Sequence, residues 1–469
     1  MISIQDLYTL YRNCSYRIST DSRSIQGGEL FFALRGENFD GNLYAASAIS
    51  KGAAWAVVNF DCPGADDHFI RVDDPFRCLQ ELAIFHRQAL GIPVIGLTGT
   101  NGKTTTKELI AAVLRTRFEV CATEGNLNND IGVPLSLLKM RPETRIAVIE
   151  MGASHPDDIA KLVKVSQPDY GVITNVGKAH LQGFGSFEGV KAAKGELYNW
   201  LGSHEGSVIF LNEDDPDLVE MARSKACHMF GYGLNYQGAA LLPSTAAEPF
   251  VRLKLADGTL VKTHLVGAYN ATNVLAALAI GQYFGVSLAG AVSAIGAYEP
   301  SNQRSQLERK GDNTLIIDAY NANPSSMGVA LDNLEAMAGN SKLALLGDMR
   351  ELGDDSLAEH MAIVRRLLAS GIRFCLVGDE FRKALLAVGV PGMELATVLP
   401  APKNGPERST EPGTVVPVNC TLPPDCPFRG WFATSGDLAL ELGAKPVKNS
   451  IVLIKGSRGI QMERVLASL

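Results

Sequence analysis

The stretch Ile92-Pro-Val-Ile-Gly-Leu-Thr-Gly-Thr-Asn-Gly-Lys-Thr104 decides how the middle of this chain folds. It begins with a run of apolar and β-branched residues that predicts a strand, and continues as a glycine-rich loop. A helical pattern over Lys107–Leu114 follows. A strand, a glycine loop and a helix in this order let backbone N–H groups and a helix N-terminus surround a phosphate group. The closing Gly-Lys-Thr adds a lysine for the outer phosphates and a hydroxyl for magnesium. The stretch therefore predicts a phosphate-binding loop.

The spacing of this loop departs from the common phosphate-loop pattern. That pattern would place its first glycine at position 97, where the chain has Leu97, and the chain instead carries an extra glycine at Gly99. A plain turn is the alternative interpretation, which the flanking strand and helix disfavour. We therefore expect ATP and Mg²⁺ to bind here. The residues expected to contact ATP in the loop are Gly99, Thr100, Asn101, Gly102, Lys103, Thr104 and Thr105.

Apolar runs alternate with helical spacings along most of the chain. At 469 residues the chain is longer than one hydrophobic core organises, so we expect three domains, over residues 1–90, 91–306 and 307–469. The runs that predict strands are Leu30–Leu34, Ala54–Val58, His68–Val72, Ile92–Thr98, Ile146–Ile149, Tyr170–Thr174, Val208–Leu211, Thr314–Ile317, Lys342–Leu346, Arg373–Val377 and Ser450–Ile454. Because strands that alternate with helices favour parallel sheets covered on both faces, the predicted fold class is α/β.

Composition and charge exclude several classes of function. The net charge is −7 and no basic run stands out, so we expect no nucleic-acid partner. Eight cysteines are scattered, and the close pair Cys420 and Cys426 lacks a second pair to complete a zinc site. They are typical of reduced cytosolic thiols. The N-terminus has no signal-peptide pattern, and we expect a cytoplasmic monomer.

Two stretches need separate interpretation. Residues 265–298 carry no charge and could span a bilayer, but Asn270, Asn273 and Gln282 favour two buried helices and no membrane contact. Between Leu399 and Phe428 proline is dense and periodicity disappears, which predicts a surface excursion within the third domain. The sequence assigns this excursion no function.

The run Arg145–Glu150 predicts a buried strand that ends in a carboxylate. In α/β sheets, ligand-facing groups lie at the carboxyl ends of strands. Phosphoryl transfer needs hard oxygen ligands for its metal, so we expect Glu150 to bind magnesium together with Thr104. A carboxylate that merely caps the next turn is the alternative.

The loop pattern Gly-x-Thr-Gly-Thr-Asn-Gly-Lys-Thr resembles that of the Mur ligase family, the ATP-dependent amide ligases of peptidoglycan assembly, and of the related folylpolyglutamate synthases. Segments in all three domains extend the resemblance. They are Thr20–Arg23, Gly27–Gly41, Glu124–Pro134, Glu150–Pro156, Gly267–Asn273, Asp318–Ser325, Gly347–Gly353 and Lys455–Arg458. The resemblance implies a small N-terminal α/β uridine-nucleotide-binding domain, a central P-loop ATPase-like parallel-sheet domain, and a C-terminal doubly wound Rossmann-like domain.

The resemblance also implies roles for residues that the pattern alone does not single out. His180 follows Ile-Thr-Asn, where relatives place a histidine at a second magnesium ion. Relatives with Ala-Ala-Lys at the position of Lys194 carry a lysine carbamate, whose oxygens can ligate a metal as an ammonium cannot. The implied catalytic groups are therefore Lys103, Glu150, His180 and Lys194, and the implied metal ligands are Thr104, Glu150, His180 and Lys194.

Further ligand contacts follow from the same resemblance. Asn270 and Asn273 are implied to recognise adenine, and Arg304 and Asp318 to bind the phosphate and ribose of ATP. The implied substrate-binding residues are Ser22, Arg23, Asn126, Asn128, Asn129, Ser154, His155, Asn321, Asn323, Asp348 and Lys455. Asn42 departs from the pattern because relatives often have histidine there, and its role stays open.

Several segments are similar to the dipeptide-adding branch of the family. This branch implies UDP-N-acetylmuramoyl-tripeptide and D-alanyl-D-alanine as substrates, joined through an acyl phosphate. The alternatives are a related Mur or folylpolyglutamate-type ligase with another amino-acid acceptor, a regulatory ATPase, or a nucleotide-binding scaffold. The uridine-type first domain disfavours folylpolyglutamate synthase. The sequence does not distinguish lysine from diaminopimelate in the tripeptide.

Overall fold

The structure is a computed structural model that describes residues 2–64, 66–245, 248–300, 304–339, 341–390 and 426–469. The predicted proline-rich excursion lies outside these residues except for its last three positions. The chain groups into two compact units. The first comprises Met1–Val176, Lys191–Tyr232 and Ala276–Ala291, and the second comprises Gly177–Val190, Gly233–Leu275 and Val292–Leu469.

The N-terminal part of the first unit is a small parallel sheet with helices around it. Its elements are α1 (Ile4–Asn13), β1 (Ile18–Ser19), β2 (Leu30–Phe32), β3 (Arg35–Gly36), β4 (Phe39–Asp40), α2 (Ala45–Ser50), β5 (Trp55–Asn59), β6 (Phe69–Val72) and α3 (Pro75–Leu90). The strands pair in the order β1-β2-β5-β6, all parallel, and β3 and β4 form a separate hairpin. All three predicted strands of this region are present. Asp74 caps the start of α3, and Gly91 ends it at a φ of 61°.

A six-stranded sheet forms the centre of the chain. The elements over this part of the chain are β7 (Val94–Thr98), α4 (Lys103–Arg115), β8 (Val120–Ala122), α5 (Gly132–Leu137), β9 (Ile146–Glu150), α6 (Asp158–Ser166), β10 (Tyr170–Ile173), α7 (Leu181–Phe184), α8 (Phe187–Gly202), β11 (Val208–Asn212), α9 (Pro216–Ala222) and β12 (His228–Tyr232). Of these, α7 falls in the second unit. The strand order is β12-β11-β10-β7-β9-β8, and every pair is parallel. Because β7 and β9 are parallel neighbours, the phosphate loop and Glu150 leave the sheet at the same edge.

The uncharged stretch forms two helices, as predicted. They are α10 (Asn270–Tyr283) and α11 (Leu288–Ala297). Within the described part of the chain, no helix has the length and apolar character needed to cross a membrane.

The second unit contains an antiparallel ribbon and a second large sheet. The ribbon is β13 (Ala240–Leu241), β14 (Phe250–Lys254) and β15 (Leu260–Val266). The large sheet and its helices are β16 (Gln306–Lys310), β17 (Asn313–Asp318), α12 (Pro324–Ala336), β18 (Lys342–Gly347), α13 (Ser356–Ser370), β19 (Arg373–Val377), α14 (Asp379–Val388), β20 (Phe428–Phe432), α15 (Ser435–Ala444) and β21 (Ile451–Lys455). Its order is β16-β17-β21-β18-β19-β20, parallel except for the edge strand β16.

Side chains of alternate residues along the strands of this sheet pack into two separate hydrophobic cores, one on each face. On β17, Ile316 packs with residues of α12, α13 and α14, whereas Leu315 and Ile317 pack with residues of α15. Helices therefore cover both faces, and the predicted α/β class with a doubly wound C-terminal sheet is confirmed. The predicted domain limits at residues 90 and 306 stay predictions.

Because β18 lies in the middle of the sheet, replacing a leucine on it should lower the free energy of unfolding far more than replacing an exposed leucine of α15. Leu346 on β18 is 0% exposed and Leu440 on α15 is 67% exposed. Leu346→Ala should lower the free energy of unfolding by about 2–5 kcal/mol because it removes buried contacts and leaves a cavity. Leu440→Ala should change it by less than about 0.5 kcal/mol. Chemical denaturation of both variants checks this, and equal effects would contradict the assigned core.

Candidate active site

The phosphate loop depends on two glycines with left-handed backbone conformations. Gly99 has a φ of 142° and Gly102 a φ of 76°. A Cβ at Gly99 would lie 2.0 Å from the Thr174 hydroxyl, so a side chain there would collide with the end of β10. The extra glycine that distinguishes this loop from the common pattern is thus required by its packing.

Residues at the end of β10 hold the loop in shape. The Asn101 N–H donates to Asn175 Oδ1 at 3.0 Å, and Asn175 Nδ2 donates back to the Asn101 carbonyl at 3.0 Å. The Thr174 hydroxyl donates to the same carbonyl at 2.7 Å. This support was not predicted, although Thr174 ends a predicted strand and Asn175 directly follows it.

Lys103 begins the helix that follows the loop. Its Nζ donates to the carbonyls of Gly99 at 2.7 Å and Thr100 at 3.0 Å. The N-cap position of α4 is Gly102, which has no side chain to cover the helix N–H groups. Helix N–H groups and the lysine therefore lie together, as an outer-phosphate site requires.

Thr104 and Glu150 meet in the interior at the ends of α4 and β9. The Thr104 hydroxyl donates to Glu150 Oε2 at 3.0 Å, and Asn128 Nδ2 donates to Oε1 at 2.9 Å. Thr104 and Glu150 are both buried. A hydroxyl and a carboxylate oxygen in contact are hard donors of the kind that Mg²⁺ binds, so these residues fit that ion. In the described ranges, no group of three or more His, Cys, Asp and Glu side chains could hold a metal. In proteins Mg²⁺ usually keeps several waters and binds phosphate oxygens beside one or two carboxylates.

Lys194 lies on α8 and is almost fully buried. It is 2% exposed, and its Nζ donates to the Ala153 carbonyl at 3.4 Å. Burial, followed by the nearby positive charge of Lys103, lowers the pKa of the Lys194 amine to about 7. A large fraction of this amine is therefore uncharged near neutral pH.

The loop after β9 carries two predicted substrate contacts. The N–H groups of Ser154 and His155 both donate to Asp158 Oδ2, at 2.9 and 2.8 Å. In the loop before α5, Asn129 Oδ1 accepts the Gly132 N–H at 2.8 Å, and Asn126 is exposed. Hydrogen bonds thus hold the loop after β9 and the loop before α5. The substrate contacts predicted for Asn126, Asn129, Ser154 and His155 stay predictions.

His180 belongs to the second unit, by contrast with Thr104, Glu150 and Lys194 in the first. It has a left-handed φ of 51°, and its Nδ1 lies against the carboxylate of Glu351. The neighbouring Lys178 pairs with Glu359 at 2.6 Å. The metal role predicted for His180 stays a prediction.

Asn270 and Asn273 form a small buried network at the start of α10. Asn270 Nδ2 donates to the Val266 carbonyl at 2.8 Å, and Asn273 Nδ2 donates to Asn270 Oδ1 at 2.9 Å. These contacts orient both amides, whose recognition of adenine remains a prediction.

A partly buried ion pair joins β17 to β21. Lys455 Nζ lies 2.5 Å from Asp318 Oδ2 and donates to the Asn321 carbonyl at 3.1 Å. Arg304 stacks on Tyr320, with its guanidinium carbon 3.8 Å from the ring centroid. Four predicted ligand contacts, Arg304, Asp318, Asn321 and Lys455, therefore lie on linked segments of the second unit.

Asp348 and Asn323 serve the local structure of the second unit. Asp348 accepts the N–H groups of Glu380 and Phe381 at 3.0 and 2.9 Å, and burial raises the pKa of its carboxyl to about 6. Asn323 caps the start of α12. These contacts fix both side chains, and the substrate contacts predicted for them stay predictions.

A cavity of about 670 Å³ opens beside Asp348 at the carboxyl ends of β18 and β19. Its lining includes Asp348, Arg350, Glu351, Ser356, Asp379 and Glu380. The excess of carboxylates suits a ligand with a positive charge.

The N-terminal sheet carries the remaining predicted contacts. Arg23 is exposed and forms a two-pronged pair with Asp21, with Nη2 at 2.8 Å from Oδ2. Asn42, whose role the sequence left open, is buried and exchanges hydrogen bonds of 2.9 Å with Asn59. Asn42 therefore ties the loop after β4 to the end of β5.

Models of one protein family match the chain in three successive regions. Residues 15–87 match the Mur ligase family catalytic domain, residues 97–281 the Mur ligase middle domain, and residues 303–398 the Mur ligase glutamate ligase domain.

Individual relatives are similar over most of their length. The chain is 39% identical to the UDP-N-acetylmuramoyl-tripeptide–D-alanyl-D-alanine ligase of Bacillus subtilis strain 168, over 72% of this chain and 74% of that one. The crystal structure of MurF from Acinetobacter baumannii covers 97% of this chain and 93% of its own, with 30% identity and a TM-score of 0.78. The MurF ligase from Thermotoga maritima, solved in complex with ADP, covers 97% of both chains with 26% identity and a TM-score of 0.77. These matches extend over all three regions, and the chain therefore belongs to the Mur ligase family.

Proposed function

We propose that the protein is an ATP-dependent, ADP-forming ligase that joins D-alanyl-D-alanine to UDP-N-acetylmuramoyl-tripeptide in peptidoglycan precursor synthesis. The observation that carries the proposal is the buried contact between Thr104 and Glu150 at the phosphate loop. It supports phosphoryl transfer, and the relatives of the chain bear the name of this ligase.

The first step would activate the tripeptide. A carboxylate oxygen of the tripeptide attacks the γ-phosphorus of ATP, the bond to ADP breaks, and an acyl phosphate forms. Lys103 and the N–H groups at the start of α4 stabilise negative charge on the transferred phosphoryl group. Mg²⁺ held by Thr104 and Glu150 would supply further charge neutralisation on the phosphate oxygens.

The second step would form the amide. The amine of D-alanyl-D-alanine attacks the acyl carbon, loses a proton, and expels phosphate. The acidic lining of the cavity beside Asp348 supports this region as the place where the dipeptide ammonium first binds. Ser22 and Arg23 are proposed to contact the uridine diphosphate, and Asn270 and Asn273 the adenine. The reaction consumes ATP, which supports a cytoplasmic location.

Phosphate release tests the proposed reaction against its rivals. We expect release of phosphate from ATP only when UDP-N-acetylmuramoyl-tripeptide and D-alanyl-D-alanine are both present, because the acyl phosphate requires the first and its breakdown requires the second. A colorimetric phosphate assay with each substrate omitted in turn measures this. A panel of single amino acids in place of the dipeptide tests the other ligases of the family.

Two controls sharpen the assay. Lys103→Met should lower phosphate release by about 100-fold or more, because one donor to the transferred group is lost. Lys161→Met alters an exposed lysine of α6 and should leave the rate unchanged. Release with ATP alone would favour a regulatory ATPase, and release with another acceptor would favour a different ligase.

We also propose that Lys194 acts as a carbamate. An uncharged amine attacks carbon dioxide, the new N–C bond forms, and one proton leaves, which gives a negatively charged group with two oxygens. The burial of Lys194 and the lowered pKa of its amine, to about 7, support this chemistry. The carbamate oxygens would then be available to a metal ion or to the phosphates that it binds.

Removal of Lys194 should be repaired by a free carboxylate. We expect Lys194→Ala to lose about 100-fold in ligase rate, because a charged group at the reaction centre is lost, and propionate to restore part of it. Lys191→Ala, one turn earlier on α8, is the matched control and should not respond to propionate.

The pH dependence gives a second measure of the same proposal. Only the uncharged amine reacts, so at a fixed concentration of dissolved carbon dioxide the rate of reactivation of carbon dioxide-depleted protein should fall as the pH drops below about 7, approaching tenfold per pH unit. A Lys194→Ala variant with full activity, or an unmodified amine in the magnesium-bound protein, would contradict the carbamate.

A further inference from the structure

Lys107 is a buried lysine that the proposed reaction does not use. It lies on α4 and is 0% exposed. Burying an ammonium group costs free energy unless the group is paired and hydrogen-bonded, so the partners of Lys107 indicate what the lysine does in the structure. It lies three residues after Thr104, and residues at this spacing share one side of a helix. Lys107 therefore faces the same part of the sheet as the phosphate-loop threonine.

The Lys107 ammonium connects α4 to the strand β8. Its Nζ donates to the carbonyl of Thr123, the residue just after β8, and lies 2.8 Å from a carboxylate oxygen of Glu108. Thr123 is itself 1% exposed. The carbonyl of Thr123 is thus held by a charged donor in the interior, where such hydrogen bonds are strong.

Thr123 in turn holds the end of β9. Its N–H donates to the Val148 carbonyl at 3.0 Å, and its hydroxyl accepts the N–H of Glu150 at 2.9 Å. The N–H, the carbonyl and the hydroxyl of Thr123 are all engaged, which leaves this residue little freedom to move. The backbone of Glu150 is therefore fixed through Thr123.

Two paths consequently link α4 to Glu150. The first is the direct hydrogen bond from the Thr104 hydroxyl to the Glu150 carboxylate. The second runs from Lys107 through Thr123 to the Glu150 backbone. A helix tied at two points one turn apart can neither rotate nor slide along the sheet without breaking one of them.

We propose that Lys107 and Thr123 are positioning residues that set the spacing between the Thr104 hydroxyl and the Glu150 carboxylate for a magnesium-bound nucleotide. This inference rests on the proposed function for its choice of ligand. Loss of either link would let α4 or the end of β9 shift, and partners that orient metal ligands typically contribute 10- to 100-fold to metal affinity.

A purely structural role for Lys107 makes a different prediction. If the lysine only stabilises the packing of α4, its removal should lower the melting temperature. The affinity for the nucleotide should then change by the same factor with and without metal. If it positions the metal ligands, the loss should be confined to the metal-bound nucleotide. The ratio of the two affinities separates these cases.

Calorimetric titration with ADP, in the presence and absence of Mn²⁺, measures that ratio directly. Thr123→Val removes the hydroxyl that accepts the Glu150 N–H, and Lys107→Met removes the ammonium but keeps an unbranched apolar side chain. Each should weaken binding of Mn²⁺-ADP by roughly 10-fold or more and change binding of ADP alone by less than about twofold. Thr123→Ser keeps the hydroxyl and should bind Mn²⁺-ADP within about threefold of the wild type.

Ser166→Ala is the matched control, because it removes another buried hydroxyl from the first unit, one that donates to the Leu162 carbonyl. It should leave both affinities unchanged. The proposal is overturned if Thr123→Val keeps wild-type affinity for Mn²⁺-ADP, if both forms of ADP weaken equally, or if the wild type binds ADP equally with and without Mn²⁺. The titration needs neither peptide substrate, so it can fail while the ligase assay succeeds, and the reverse.

Discussion

The hydrogen bond between the Thr104 hydroxyl and the Glu150 carboxylate is the interaction on which the rest of the site depends. It exists because β7 and β9 are parallel neighbours whose ends share one edge of the central sheet. The helix α4 starts at that edge and brings its threonine to the carboxylate. The glycines of the loop, the amide of Asn128 and the hydroxyl of Thr123 all act to keep these two oxygens in place. A parallel sheet thus brings the phosphate loop and the carboxylate proposed to bind magnesium to one edge.

Three buried lysines, Lys107, Lys194 and Lys455, have different surroundings and therefore different chemical roles. Lys455 retains an ion pair with Asp318, and Lys107 is held by a carbonyl and by Glu108. Lys194 instead has a pKa lowered to about 7 by burial and by the charge of Lys103. In the first two arrangements the lysine orders backbone segments through its contacts with a carbonyl and a carboxylate. The third favours an uncharged amine, which is the form that reacts with carbon dioxide.

Sequence patterns predicted the elements with strong apolar periodicity, and they did less well elsewhere. Every apolar run predicted as a strand is present, as is the loop from Gly96 to Thr104, whereas the edge strands β1, β8, β12 and β20 were not predicted. The edge strand Gln306–Lys310 was missed because its residues are mostly polar, as is common at sheet edges. The burial of Lys107 and its contact with Thr123 also could not be predicted. A lysine in a helical pattern normally faces solvent, and contacts between distant segments leave no local signal.

The central claim is that the phosphate loop transfers the γ-phosphoryl group to a carboxylate of the substrate and not to water. Isotope transfer tests it most directly. UDP-N-acetylmuramoyl-tripeptide labelled with oxygen-18 in its terminal carboxylate would be turned over with ATP and D-alanyl-D-alanine, and the released phosphate analysed by mass spectrometry. Formation of an acyl phosphate predicts one labelled oxygen in each phosphate, because the carboxylate oxygen leaves with phosphorus when the amide forms. Unlabelled phosphate would contradict this mechanism.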